Sequence, residues 1–378
     1  MHFSRTGIAL AAVGAVAATC LSVFHIPPPG SASGGTDAVS AEAAGGMSRL
    51  VAQARKEGTL NAIALPRDWA GYGGLMDGFE KKYGIQVNVE NPRGASQDEI
   101  NAMATRRGQE RAPDVVDLGG SFNLVAASQG LLAPYRVASF DDIPPAQKDA
   151  GARWYNDYGG YISIGCDASR VARCPTTFAD LLKPEYKGQV ALTGAPTASG
   201  SAFASVYAAA LARGGSFENI EPGVAFFSQL KKNGNFSPVT ATPATIAQGE
   251  TPITVDWDYL NAGYTKQFTA QGMKWKVSVP ADGIYSEYYS QAINKYAPHP
   301  AAARLWEEYL YSAEGQNGFL AGLARPVLMK KMSDEGTLDR EAAAKLPHVS
   351  AAPRFPTEGE LDRAKTVVSQ QWATAVTE

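Results

Sequence analysis

Apolar residues recur at helical spacing over 47–57; Gly58 then separates that segment from an apolar run at 60–65, which Pro66 ends. This pattern predicts an amphipathic helix followed by a buried strand. A glycine-rich turn at 71–74, a helical segment reaching Tyr83 and a second apolar run at 85–89 complete a strand–helix–strand unit. The simplest arrangement for such a unit is parallel αβ sheet. The alternation continues with helical character over 97–107, a short strand over 114–118 and a helix over 122–130 that Gly130 stops.

After Pro175 the pattern restarts. A helical turn at 176–182, a strand at 189–192 and an Ala-rich helix running to Arg213 are followed by a helix at 224–230 and a short strand at 237–240. Thr242 and Pro243 read as an N-cap and first helical residue of a helix that Gly249 ends. Strands follow at 253–255 and 275–279, then an amphipathic helix at 300–312, a helical piece at 318–323 and a polar helical wrap reaching Trp372. The fold class is α/β, and no internal repeat interrupts it.

Between the two series, Trp154, Tyr155, Tyr158 and Tyr161 crowd the approach to a possible crossing strand at 162–165. Two readings stand for these aromatics: a ligand wall, or core.

The length of 378 residues exceeds one ordinary core and points to two domains. A net charge of -3, with no basic run, gives no electrostatic footprint for nucleic acid. Residues 1–46 are expected to be a signal or anchor segment with a flexible tether: a short basic start, an apolar stretch at 7–24, then a Pro-, Gly-, Ser- and Ala-rich run at 26–46. Cleavage near Gly30-Ser31-Ala32 is one outcome, an uncleaved anchor over 7–26 another, and lipid at Cys20 the least favoured, because Ala17 and Thr19 make a poor lipobox. The mature chain is expected to be exported, to the periplasm or the outer face of the cytoplasmic membrane. Cys166 and Cys174 fit a short disulfide loop in an oxidising compartment, with two free thiols as the alternative. His2, His25, His299 and His348 are scattered without carboxylates or thiols at metal-ligand spacing, so neither a metal nor a cofactor is expected.

The densest candidate chemistry lies at 251–264, where an apolar strand ends in Asp256, Trp257, Asp258 and Tyr259. Carboxylates beside an indole and a phenol can hold an organic cation through charge-assisted hydrogen bonds and an aromatic face. The alternative is strand alternation, with both aspartates in solvent and both rings in the core. Asp68 and Trp69 fall just past a strand, where open αβ sheets bind ligands. Ser121 follows a strand and the pair Gly119-Gly120. Thr197, Ser199 and Ser201 lie at a helix N-terminus, suited to an anionic group or simply to capping. Asp282 and Tyr285 belong to a further polar-aromatic cluster with Tyr288 and Tyr289.

Over residues 57–324 the sequence resembles the extracellular solute-binding proteins of ABC importers, in the broad group containing ferric-ion, polyamine and aminoethylphosphonate binders. The likeness is carried by EGTLNAIA at 57–64, FEKKYGIQV at 79–87, PDVVDLGGS and QGLLAPY within 113–135, and TTFADLLKPEYKGQVAL at 176–192. APTASGSAF at 195–203 and QAINKYAPHPAAARLWEEYLYSAEGQ at 291–316 add to it. The resemblance implies a type II periplasmic-binding-protein architecture: two αβ lobes joined by two crossing segments around a ligand cleft. Lobe one would comprise 47–160 plus 278–378, and lobe two 161–277. It also implies capture without catalysis, by hinge closure, and delivery to a membrane permease. An opening and closing cleft fits a monomer.

Where the ferric-ion binders carry adjacent tyrosines, this sequence has Asp258-Tyr259, which argues against iron. Polyamine binders use carboxylates and aromatics, so a small cationic amine is the first expectation. A zwitterion such as an aminophosphonate, held also by the 197–201 helix start, is the second, and ferric ion remains an alternative. A periplasmic sensor subunit and a hydrolase rank lower; no nucleophile elbow or histidine constellation supports the latter.

Overall fold

The computed structural model describes residues 37–349 and 354–377. The leader, anchor and lipid expectations, Cys20 included, fall on residues 1–36, outside the described residues.

The described chain begins with α1 (Met47–Glu57), β1 (Thr59–Ile63), α2 (Tyr72–Tyr83) and β2 (Gln86–Glu90). α1 stops because Gly58 adopts φ 71° and turns its N–H back to the Ala54 carbonyl, while Arg55 and Lys56 complement the negative end of the helix dipole. β1 and β2 pair in parallel, Thr59 beside Gln86 and Ile63 beside Glu90, as the opening pattern predicts. Then come α3 (Ser96–Thr105), β3 (Val115–Gly119), α4 (Gly120–Ser128) and the short β4 (Leu132–Ala133).

The next strand, β5 (Tyr155–Asp167), is buried along its whole length and organises everything after it. Beyond it lie α5 (Phe178–Leu181), β6 (Val190–Leu192), α6 (Gly200–Ala212), α7 (Glu221–Lys232), α8 (Pro243–Gln248), β7 (Ile253–Trp257), α9 (Asp258–Ala270) and β8 (Trp275–Ser278). The chain returns through β9 (Ser286–Asn294), α10 (Pro300–Leu310), α11 (Ala313–Ala321) and β10 (Arg325–Pro326). It closes with α12 (Met329–Glu335), α13 (Arg340–Ala343) and α14 (Glu358–Trp372).

Strand order in the main sheet is β3-β9-β5-β7-β6. The first half of β5 pairs antiparallel with β9, from Tyr155 beside Gln291 to Tyr161 beside Ser286. Its second half pairs antiparallel with β7 and β8, Ile162 beside Trp257 and Asp167 beside Trp275. One strand therefore runs through both αβ lobes, and the return from β8 to β9 is the second crossing. Parallel pairing survives at β1–β2 and β6–β7; the strands around β5 are antiparallel because the chain traverses the junction in opposite directions.

One expectation needs correction. Residues 237–240 form no strand: Ser237 and Ala241 donate to the Val190 and Leu192 carbonyls, but Pro238 between them has no N–H to extend the ladder. Of the two readings left open for the aromatics, burial of Tyr155, Tyr158 and Tyr161 favours core, while Trp154, also buried, lines a cavity as well. Cys166 and Cys174 are bonded, with Cα atoms 5.8 Å apart.

The C-terminal wrap touches both lobes. α14 packs on α4, where the Lys365 Nζ lies 3.1 Å from the Phe122 ring centroid. On the other side the Tyr207 hydroxyl donates to the Glu360 carbonyl at 3.1 Å, and Trp372 packs against Phe227 and Phe236.

Candidate functional site

A cavity of about 130 Å³ opens where strand ends and helix starts of the two lobes converge. From the first lobe, Trp69 follows β1, residues 92–96 lead from β2 into α3, and Asp117 lies near the end of β3. From the second, Thr193, Ser199, Gly200 and Ser201 follow β6, Thr240 to Pro243 lead into α8, and Asp256 lies near the end of β7. Tyr264 and Tyr289 complete the wall.

The two aspartates are the chemical centre. Asp256 is almost wholly buried, accepts from the backbone N–H of Trp257 at 2.8 Å, and is pushed up to about 7 by that burial, against the opposing hydrogen bonds from Trp257 and Ser201. Asp117 is raised by the same cause, opposed by the hydroxyls of Tyr158 and Tyr72; its Oδ2 accepts from Tyr158 at 2.6 Å and its Oδ1 meets no donor. Glu99, raised well above the carboxylate range by desolvation, accepts from the Asp117 N–H at 2.7 Å. A buried carboxyl that lacks a cation either takes up a proton or awaits a positive partner.

Trp69 is fixed by a hydrogen bond from its Nε1 to the Tyr158 hydroxyl and by edge contacts to Tyr259 and Tyr289, with centroids 6.1 and 5.5 Å away. Of the anticipated residues, Trp69, Ser199, Ser201 and Asp256 line the cavity together. Ser199 also caps α6, accepting from the Ala202 N–H at 3.3 Å. Trp257 and Tyr259 form the layer behind: their rings stack with centroids 6.1 Å apart, and the Trp257 Nε1 reaches the Tyr289 hydroxyl at 3.5 Å.

The remaining anticipated residues stand elsewhere. Asp68 is partly exposed and pairs with Arg93 at 2.7 Å. Ser121 is buried in the first turn of α4, and Thr197 is exposed ahead of the α6 cap. Asp258 starts α9 rather than continuing β7, so strand alternation does not reach it; its Oδ2 pairs with Arg325 at 2.7 Å and its Oδ1 accepts from the Tyr161 N–H. Asp282 accepts from the Phe178 and Ala179 N–H groups at the start of α5. Tyr285 is core: its ring stacks on Tyr207 and its hydroxyl donates to Glu287 at 2.7 Å.

Sequence reasoning passed over Asp117, although it ends a strand before Gly119-Gly120 just as Asp68 follows one. The 92–96 loop carried the same signal, since it leaves the carboxyl end of β2. Glu99 had none: a helical glutamate reads as surface until its helix is packed on β3.

The sequence model of a family described as bacterial extracellular solute-binding protein matches residues 110–348. The chain belongs to this family. No curated protein matches the sequence. Among solved structures, the fold is similar to the periplasmic binding protein AfuA from Actinobacillus pleuropneumoniae with fructose-6-phosphate bound, at 18% identity and TM-score 0.67, covering 85% of this chain and 99% of that one. It is similar to a ferric binding protein from Campylobacter jejuni, at 17% identity and TM-score 0.62, covering 84% and 99% of the two chains. A putative spermidine/putrescine ABC transporter from Listeria monocytogenes aligns at 13% identity and TM-score 0.60, covering 84% and 98%.

As an extracellular solute-binding protein of an ABC importer, the chain carries a small solute to a permease. Its family is one of transport rather than turnover and implies a periplasmic location. Among the described residues no helix is long and apolar enough to cross a membrane.

Proposed function

We propose that the solute is a small amine whose ammonium group is held between Asp117 and Asp256. The carrying observation is that these two buried carboxyls, one from each lobe, line a single small cavity with Trp69, Tyr264 and Tyr289. Their raised proton affinity marks sites where a cation restores the charge that burial disfavours, and the rings add attraction to the ammonium. With lobes at 47–160 plus 278–378 and at 161–277, such a ligand bridges both and stabilises the closed form, which a monomer then presents to the permease.

A second reading is a zwitterion such as an aminophosphonate. It is favoured by the start of α6, Gly200 and Ser201, lining the same cavity with Arg93. A helix N-terminus attracts an anionic group while the aspartates keep the ammonium. Ferric ion is less favoured, because Asp258 is engaged by Arg325 and Tyr259 lies behind Trp69.

The test is a thermal-shift series of the chain against putrescine, spermidine, 2-aminoethylphosphonate and ferric citrate. A ligand at about a thousand times its dissociation constant stabilises by about 4 kcal/mol. A shift with the diamines supports the amine reading, and one with 2-aminoethylphosphonate alone transfers support to the zwitterion. A shift with iron alone defeats both.

A further inference from the structure

A second cavity, of about 320 Å³, shares no lining residue with the first. Its floor is α4 and the adjoining ends of β5 and β9, and its roof is the segment from Phe355 to Leu361 that leads into α14. Asn123, 2% exposed, lines it. The Asn123 Nδ2 donates to the Ser290 Oγ at 2.8 Å, and that hydroxyl donates to the Asn156 Oδ1 at 2.8 Å. The Asn123 Oδ1 meets no donor. A buried amide oxygen left without a donor is destabilising, and a donor brought by a ligand would relieve it.

The other groups narrow what that donor belongs to. Glu287, 7% exposed, lines the cavity, its carboxyl accepting from the Tyr285 hydroxyl and meeting the Gly120 backbone N–H; Glu358 stands at the rim. Lys148, the one lysine of the lining, donates from its Nζ to the Phe140 carbonyl at 2.6 Å, and Lys365, outside the lining with its Nζ over the Phe122 ring, offsets part of the Glu287 charge. Trp154, Tyr288 and Phe355 supply aromatic faces. Acceptors and rings together favour a cation with an apolar body, and disfavour an anion.

We propose that this cavity is a second ligand site, which takes a small organic amine carrying a ring, its ammonium donating to the Asn123 Oδ1 beside Glu287 and its ring lying among Trp154, Tyr288 and Phe355. The site is independent of the cleft and does not rest on the solute assigned there.

Benzylamine is the probe, titrated calorimetrically into the full chain and into three variants. The expected result is binding to the unaltered chain that Leu361→Trp, which fills the cavity from its roof, abolishes. Asn123→Leu weakens it by about tenfold, and Asp256→Asn, in the cleft, leaves it unchanged. If Asn123→Leu fails to fold, Leu361→Trp carries the test. Absence of binding at millimolar benzylamine overturns the proposal. So does binding that survives Leu361→Trp but is lost in Asp256→Asn, which would put the amine in the cleft.

Discussion

Gly119 and Gly200 meet across the cleft: a Cβ placed on Gly200 would stand 3.1 Å from the Gly119 Cα and 3.0 Å from the Tyr289 hydroxyl. One glycine ends β3 and the other begins α6, so their missing side chains let the helix start approach the strand end. Gly200→Ala is expected to act on the closed form alone, since an opened cleft removes the clash. Overpacking at such a contact costs about 1–3 kcal/mol, so solute affinity should fall about tenfold or more. The ligand-free melting temperature should hardly move, because alanine is the better helix former. A large loss of ligand-free stability would mean that the contact belongs to the static core.

If the solute is the proposed amine, Asp256 is expected to make its binding depend on pH. With its carboxyl pushed up to about 7 in the folded chain, the free protein holds a proton that an unfolded aspartate would already have lost. Its contribution to stability is therefore fully present below about pH 4 and is lost as pH rises through 7. An ammonium ligand requires the ionised form. Amine affinity should rise from pH 5.5 to 8, with proton release measured by calorimetry in buffers of different ionisation enthalpy. Asp256→Asn should remove the Asp256 share of that release, leaving the share of Asp117, and weaken an amine by about 2–3 kcal/mol, while relieving the ligand-free protein at alkaline pH. Affinity that falls with rising pH would exclude the carboxylate as the ammonium partner.

How much of this was legible in the sequence follows from the range of the forces involved. Helix starts and stops such as Gly58, Thr242-Pro243 and Gly249 are local, and each stands where the pattern put it. The 251–264 stretch was singled out as the densest candidate chemistry, and its residues part company: Asp256 lines the cavity, Trp257 and Tyr259 back it, and Asp258 turns away to Arg325. The change from strand to helix between Trp257 and Asp258 decides that division, and period counting cannot place a boundary to a single residue. Asp282 and Tyr285 looked like Asp256 in composition, but their partners, the α5 N–H groups and Tyr207, lie far away in the chain. The second cavity was invisible because its roof is supplied by the C-terminal segment.

The disulfide is a stability element remote from the solute. Cys166 lies one residue before the end of the buried strand β5 and Cys174 follows after a sequence separation of 8, and neither lines the cleft cavity. Closing so short a loop contributes about 2–3 kcal/mol by restricting the unfolded chain. Replacing both cysteines by serine should lower the denaturation midpoint accordingly and leave solute affinity unchanged at temperatures where the variant is folded. Dithiothreitol should reproduce the effect in the unaltered chain and add nothing to the variant.

Arg325 and Asp258 join the two ends of the molecule at the crossing. Arg325 lies on β10, which pairs with the first half of β5, and Asp258 begins α9 beside its second half; their side chains meet at 2.7 Å with 14% and 0% of their surfaces exposed. Burial raises the Asp258 carboxyl, and Arg325 is the largest force holding it down. Arg325→Met removes that force and leaves a buried charge uncompensated, which costs about 3–5 kcal/mol. The loss should be greatest at alkaline pH and shrink toward pH 5, because a carboxyl whose folded proton affinity is raised stabilises the fold only while it keeps its proton. Asp258→Asn added to Arg325→Met should recover much of the loss, since the amide needs no cation. Urea denaturation of both single variants and the double variant at two pH values measures the coupling. Strict additivity would show that the two side chains act separately, and the pair would then play no part in holding the crossing together.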